Sequence, residues 1–108
     1  MSVLSSGQPF YRDEHLFVDL RQQVVILNGQ TLTLRPLEYG LLALLVENAG
    51  KVIPRAILLS QIWGYAPGMR TRTVEIHVRR LRKKFGIYSQ HIETVVGVGY
   101  SFRPLPGP

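Results

Sequence analysis

No cysteine occurs in the sequence, and with it go disulfides, thiolate-bound zinc, iron–sulfur clusters and thiol nucleophiles. That fits a reducing compartment. Long apolar runs are missing too: the longest, Leu41–Val46, falls far short of the ~20 residues that span a bilayer. Residues 1–9 carry neither a basic start nor an apolar stretch, so no signal peptide is expected and the cytoplasm is the expected location. Acidic residues are scarce, seven Asp and Glu against thirteen Lys and Arg. What remains is 108 residues, 45% apolar and 19% charged, a globular composition that suits one domain with a modest core.

The surplus of positive charge is concentrated. Arg70, Arg72, Arg79, Arg80, Arg82, Lys83 and Lys84 fall in one short window with a single acid, Glu75, and that window carries the whole net charge of +6. The remaining acids and bases cancel. Solvated helix faces usually mix signs, so a stripe of one sign points to a polyanion, above all nucleic acid.

Along the chain, residues 1–9 read as a flexible lead-in, 10–105 as the folded domain and 106–108 as a tail. Short apolar runs at Leu16–Val18 and Val24–Leu27, followed by alternating Leu32 and Leu34, predict a meander of three or four antiparallel strands. Asn28-Gly29 between two runs is a hairpin signal, because both residues tolerate positive φ. At Pro36 the period becomes helical, with Leu37, Leu41, Leu44, Leu45 and Ala49 as the buried set and Asn48 and Gly50 as the stop. A second helix is expected from Pro54 to about Trp63, burying Ile57, Leu58, Ile62 and Trp63, and ending at Gly64. Neither helix has Ser, Thr, Asp or Asn before its proline, so neither gains the usual N-cap hydrogen bond. Gly64–Thr71 is a loop. A third helix runs from about Arg72 to Phe85, closed by Gly86. Ile92–Val96 and Tyr100–Arg103 flank Gly97-Val98-Gly99 as a final hairpin, beyond which three prolines stop pairing.

On the third helix Val74, Val78, Leu81 and Phe85 form one narrow core stripe. Arg72, Ile76, Arg79, Arg80 and Lys83 face the other way. An isoleucine within a cationic arc suits a major groove, where thymine methyls accept apolar contact and arginines take guanine edges and phosphates. The whole is an α+β order of sheet, three helices and hairpin, that of a winged helix-turn-helix.

The blocks L-x-x-L-x-x-N-A-G-K-V-I from Leu42, Ile62-Trp63-Gly64, R-T-V-E-I-H-V-R-R-L-R-K-K from Arg72 and I-E-T-V-V-G-V-G-Y-S-F from Ile92 give the chain a specific resemblance. It resembles the DNA-binding effector domain of OmpR/PhoB-family bacterial response regulators, over nearly everything beyond Pro9. The resemblance implies a four-stranded N-terminal antiparallel sheet, three helices and a C-terminal wing. It further implies sequence-specific binding to double-stranded promoter DNA as a head-to-tail pair on direct repeats, and contact with RNA polymerase. By position it assigns Glu75, Ile76, Arg79 and Arg80 to bases, and Arg72, His77, Arg82 and Thr94 to phosphates, with Lys83 beside them. Val96, Gly97 and Gly99 belong to the wing, Val96 standing where an arginine is frequent. Tyr65, Pro67 and Met69 lie in the loop that family members present to polymerase.

Several of these residues also admit plainer roles. His15, His77 and His91 are far apart without ligand spacing, so no metal and no cofactor is expected. Trp63 reads as core, and Tyr100 and Phe102 as the inner face of the wing. Glu75 can orient Arg79 one turn on, and Lys83 and Lys84 can act as steering charge alone. Neither a nucleophile elbow nor a phosphate loop nor a placed carboxylate pair supports catalysis, so an enzyme is not expected. The alternative to a promoter-binding domain is a winged-helix module that docks an acidic protein and holds DNA only non-specifically. A membrane-surface helix ranks last, because the core needs the apolar stripe.

Overall fold

The computed structural model describes residues 9–66 and 68–105; nearly all of the expected lead-in, the expected tail and Pro67 lie outside the described residues. Four strands open the chain: β1 (Phe10–Arg12), β2 (Leu16–Asp19), β3 (Val24–Leu27) and β4 (Gln30–Thr31), antiparallel in the order β1-β2-β3-β4. The β3–β4 turn is the expected one: Asn28 and Gly29 sit at φ 53° and 83°, and Leu27 pairs with Gln30. Alternation along β2 buries Leu16 and Val18, and Tyr11 and Val25 join them in the core.

Helix α1 (Pro36–Glu47) is the centre of the domain, packing on the two later helices and on the last strand. Its inner face is Glu38, Leu41, Leu42, Leu45 and Val46, whereas Leu37 is 39% exposed, which corrects the expected set. The physical reason is that this helix is apolar nearly all round, so spacing alone does not fix its phase. What fixes it is Glu38, a carboxylate that goes inside because it is satisfied there. Its Oε1 accepts the N–H of the N-cap residue Arg35 at 2.9 Å, the reach-back half of a capping box, so this donor at the helix start is satisfied although no N-cap Ser, Thr, Asp or Asn is present.

A two-residue strand not foreseen, β5 (Ile53–Pro54), precedes α2 (Arg55–Trp63). Proline is tolerated there because β5 is an edge. Helix α2 buries Leu58 and Leu59; Ile57 is 42% exposed and Ile62 and Trp63 are half-buried, again a shift from expectation. Helix α3 (Thr73–Phe85) follows the loop, with Val74, Val78, Leu81 and Phe85 all 2% exposed or less, as the stripe requires. Each such side chain contributes about 1.5–3 kcal/mol on burial. A 3-10 segment, Gly86–His91, then leads into the hairpin β6 (Ile92–Val95) and β7 (Gly99–Phe102).

The second sheet has the order β5-β7-β6, so β7 is central and buried throughout. Tyr100 and Phe102 lie inside, as expected. Gly99 is there for space: a Cβ would lie 2.0 Å from the Ile53 carbonyl oxygen. The whole is a winged helix, with the N-terminal sheet as an additional layer.

Candidate nucleic-acid interface

Three side-chain ties fix the orientation of α3. At its start Arg55 of α2 forks onto Glu75, Nε to Oε2 at 2.5 Å and Nη2 to Oε1 at 3.0 Å, and also donates to the Thr71 carbonyl. The guanidinium beside it holds the Glu75 carboxyl below the usual range. Further along, Arg82 donates to the Ile92 carbonyl at 3.0 and 2.7 Å and to the Thr94 hydroxyl at 2.6 Å, joining the helix to β6. At the end Lys84 donates to Glu38 at 2.6 Å and to the Thr33 carbonyl at 3.1 Å. Burial alone would raise the Glu38 carboxyl, but the bonds from Lys84 and the Arg35 N–H outweigh it and hold Glu38 low.

These ties correct two sequence readings. Glu75 pairs with Arg55, twenty positions away, rather than with Arg79 on its own helix. Lys84 is a structural cation, not a free steering charge. No local pattern signals either pairing, since both partners come from other helices.

What the ties leave is the outer face. Arg72, Ile76, Arg79, Arg80 and Lys83 are exposed, Ile76 by 45%. Among the described residues, Arg70, Arg72, Arg79, Arg80 and Lys83 enter no ion pair. Toward α1 this face continues into an open depression of about 520 Å³ lined by Arg35, Glu38, Arg80, Lys83 and Lys84. Toward the wing a cleft of about 310 Å³ separates Arg55 and Glu75 from Thr94 and Tyr100. His77 lies on the flank, half-buried, its Nδ1 2.7 Å from the Thr73 carbonyl. That contact requires a proton on Nδ1, so Nε2 donates to an anion only in the imidazolium form. Trp63 meets the His77 ring edge-on at 5.1 Å and is half-buried, packed against the rim of the core rather than inside it.

At the wing, Thr94 is exposed but its hydroxyl accepts from Arg82. Val96 is 90% exposed at the tip, next to Gly97 at φ 79°. In the loop between α2 and α3, Tyr65 and Met69 are 38% and 46% exposed. Pro67 is outside the described residues.

One further grouping overturns an expectation. His15 and His91, far apart in the sequence and without ligand spacing, meet with their Nε2 atoms 2.7 Å apart. Asp13 lies beside both, 3.4 Å from His15 Nδ1 and 3.5 Å from His91 Nε2. Antiparallel pairing of β1 with β2 puts Asp13 and His15 in the connecting turn, and the 3-10 segment missed in the sequence delivers His91 to it. Only His77 stands apart from this group.

A winged helix whose recognition-type helix offers unpaired cations around an exposed aliphatic residue defines a class, the winged-helix nucleic-acid-binding domains. Comparison with known proteins narrows it. The family described as "Transcriptional regulatory protein, C terminal" matches residues 29–102. Among curated relatives, the response regulator protein PmrA of Pseudomonas aeruginosa is 41% identical over 92 residues, covering 84% of this chain and 41% of the relative. The transcriptional regulatory protein QseB of Escherichia coli O157:H7 is 38% identical over 90 residues, 83% of this chain and 40% of the relative. The chain thus spans about two fifths of the length of these relatives.

Among solved structures, the Thermotoga maritima response regulator DrrB, an OmpR/PhoB homolog, superposes with a TM-score of 0.80 at 32% identity, covering 90% of this chain and 45% of that one. The DNA-binding domain of Klebsiella pneumoniae RstA, solved in complex with the RstA box, gives 0.80 at 28% identity, covering 91% and 100%. The chain belongs to the family of C-terminal transcriptional regulatory domains, with the OmpR/PhoB-type winged helix. It is a DNA-binding domain rather than an enzyme. No helix among the described residues is long and apolar enough to cross a membrane.

Proposed function

We propose that this domain reads promoter DNA sequence-specifically, with α3 in the major groove and the β6–β7 hairpin on the adjacent backbone or minor groove. The observation that carries the reading is the outer face of α3, where exposed Ile76 stands among unpaired Arg72, Arg79, Arg80 and Lys83. Ile76, Arg79 and Arg80 take bases; Arg72 and Lys83 take phosphates, with His77 at the flank. Glu75, engaged by Arg55, positions the helix start and meets a base only on the side its fork leaves free. Arg82 holds Thr94 at the foot of the wing, so the pair meets a phosphate together. A wing tip of Val96 and Gly97 offers aliphatic surface and backbone N–H groups where a charged side chain is absent.

Two domains arranged head to tail on direct repeats, with Tyr65 and Met69 turned to RNA polymerase, complete the proposal for transcriptional control. The exposed apolar surface of that loop supports the second part.

Selection from a random duplex library gives the motif and half-site spacing. Against that motif, Arg80→Ala is expected to weaken binding by ~1–3 kcal/mol and to relax preference at one base position. Equal losses on selected and random DNA would remove Arg80 from base reading. A library yielding no enriched motif would favour the protein-docking alternative instead.

A further inference from the structure

The grouping of Asp13, His15 and His91 lies outside the DNA-facing surface, and nothing in the proposed function uses it. We propose that these three residues form a binding site for a borderline divalent transition metal of the zinc class, with water as the fourth ligand. The three offer ligand atoms that all lie within 4.8 Å of one another. They also carry the outer contacts that prepare side chains for a metal. His91 Nδ1 lies 2.7 Å from the Arg103 carbonyl and must donate to it, which leaves the lone pair on Nε2, the atom that faces His15 and Asp13. His91 is fully buried, and its ring is stacked on Phe102 with centroids 4.9 Å apart. His15 is stacked on Tyr88 at 4.0 Å and 9°. Asp13 is held by the N–H groups of His15 and Leu16 at 2.9 and 2.7 Å and by the Tyr11 hydroxyl at 2.7 Å.

The distances admit the ion. Tetrahedral zinc with ligands at about 2.0–2.1 Å separates them by about 3.3 Å. His91 Nε2 to Asp13 Oδ2 is 3.5 Å, which fits without movement. The two Nε2 atoms, at 2.7 Å, must part by about 0.6 Å. His15 is the one that moves, since its side chain is 12% exposed while His91 is sealed. Without metal, one proton occupies the gap, donated by His15 Nε2 to the His91 lone pair. With metal, that proton moves to His15 Nδ1, whose nearest carboxylate oxygen is Asp13 Oδ1 at 3.4 Å. The exchange therefore consumes and releases nothing else. Asp13 and His15, at 9% and 12% side-chain exposure, are the side of the grouping that solvent touches. Two of the ligands stand 76 positions apart, so a bound ion ties the N-terminal sheet to the base of the wing.

The test is a thermal melt of the 108-residue chain titrated with zinc chloride, with magnesium chloride in parallel. Zinc at a hundred times its dissociation constant is expected to raise Tm by on the order of 10 °C, and magnesium to leave it unchanged. His77→Ala should keep the shift and His15→Ala should lose it, folding being checked by circular dichroism. Because the chain has no cysteine, His15→Cys with cobalt(II) gives a second readout that needs no comparison of stabilities. A thiolate-to-cobalt charge-transfer band is expected if position 15 is a ligand. No zinc shift in the native chain, a shift that survives His15→Ala, or a cobalt spectrum without that band would each overturn the site, and none of these bears on DNA binding.

Discussion

Replacing Lys84 by methionine keeps the apolar stem of the side chain and removes only the ammonium that Glu38 sees at 2.6 Å. Glu38 is 1% exposed, so the carboxylate is left in a nearly dry site with the Arg35 N–H as its remaining donor. Stranding one partner of a fully buried pair costs about 3–5 kcal/mol. Lys84 is itself 32% exposed, so solvent already screens part of the attraction, and about 2 kcal/mol is the expected loss. For a domain of this length that corresponds to a fall in Tm of about 10 °C. The neighbouring Lys83, exposed and unpaired, supplies the control: Lys83→Met should stay within about 0.5 kcal/mol of the native chain.

The pH dependence gives this prediction its signature. The Glu38 carboxyl is held low in the folded chain, so its contribution is present above the unfolded carboxyl range and lost as pH falls through the folded value. The gap between native and Lys84→Met melts should therefore be widest near neutrality and close in acid, where both chains carry a protonated Glu38. DNA binding separates the two lysines in the opposite sense. The salt slope should drop by about 0.9 for Lys83→Met if Lys83 meets a phosphate, and stay unchanged for Lys84→Met. Equal melting of the two variants at neutral pH would refute the account of Lys84 as a structural cation.

Other perturbations test the remaining joints. Gly99→Ala drives a Cβ into the Ile53 carbonyl and should cost about 3 kcal/mol or more in urea unfolding, since backbone must yield; a native-like midpoint would mean that β5 moves aside freely. Arg55→Met removes a fork whose partners are 35% and 42% exposed, so stability should fall by only about 1 kcal/mol. Affinity for a selected DNA site should fall more, because Glu75 and the helix start lose their anchor; a loss confined to stability would deny Arg55 that role. Asp13 is also held low, burial being outweighed by the Tyr11 hydroxyl and the His15 and Leu16 N–H groups. The native chain should accordingly lose stability as pH falls below the ordinary carboxyl range and through the lowered folded values of Asp13 and Glu38, and Glu38→Gln should flatten part of that decline.

How far such joints can be read beforehand depends on the distance over which each is made. The α3 stripe, the Asn28-Gly29 turn and the wing hairpin are local patterns, each complete within a few residues, and the structure has all three. The phase of α1 is not local. Leu37 and Leu44 compete with Leu41, Leu42 and Leu45, and the choice falls to Glu38, whose partner Lys84 is 46 positions away. The β5 strand exists only because Gly99 admits the Ile53 carbonyl, and Asp13 and His15 find His91 only once the N-terminal sheet has packed on the core.

The same distinction applies to charge, where it alters the functional argument itself. Counting along the chain gives seven cations between Arg70 and Lys84, as though all were available to a polyanion. The fold spends two of them internally: Arg82 fastens the wing to α3, and Lys84 neutralises the carboxylate that orients α1. Among the described residues five remain unpaired, and if all five neutralise phosphate charge, those that also reach bases included, the salt slope from this window is about −4.5 per domain, against about −6.3 for seven. A phosphate met jointly by Arg82 and Thr94 raises the expected slope to about −5.4, and a measured slope near the larger value would require Lys84 as well to leave Glu38 on binding. Lys84 is therefore the part of the basic stripe in which folding and DNA recognition compete for the same charge.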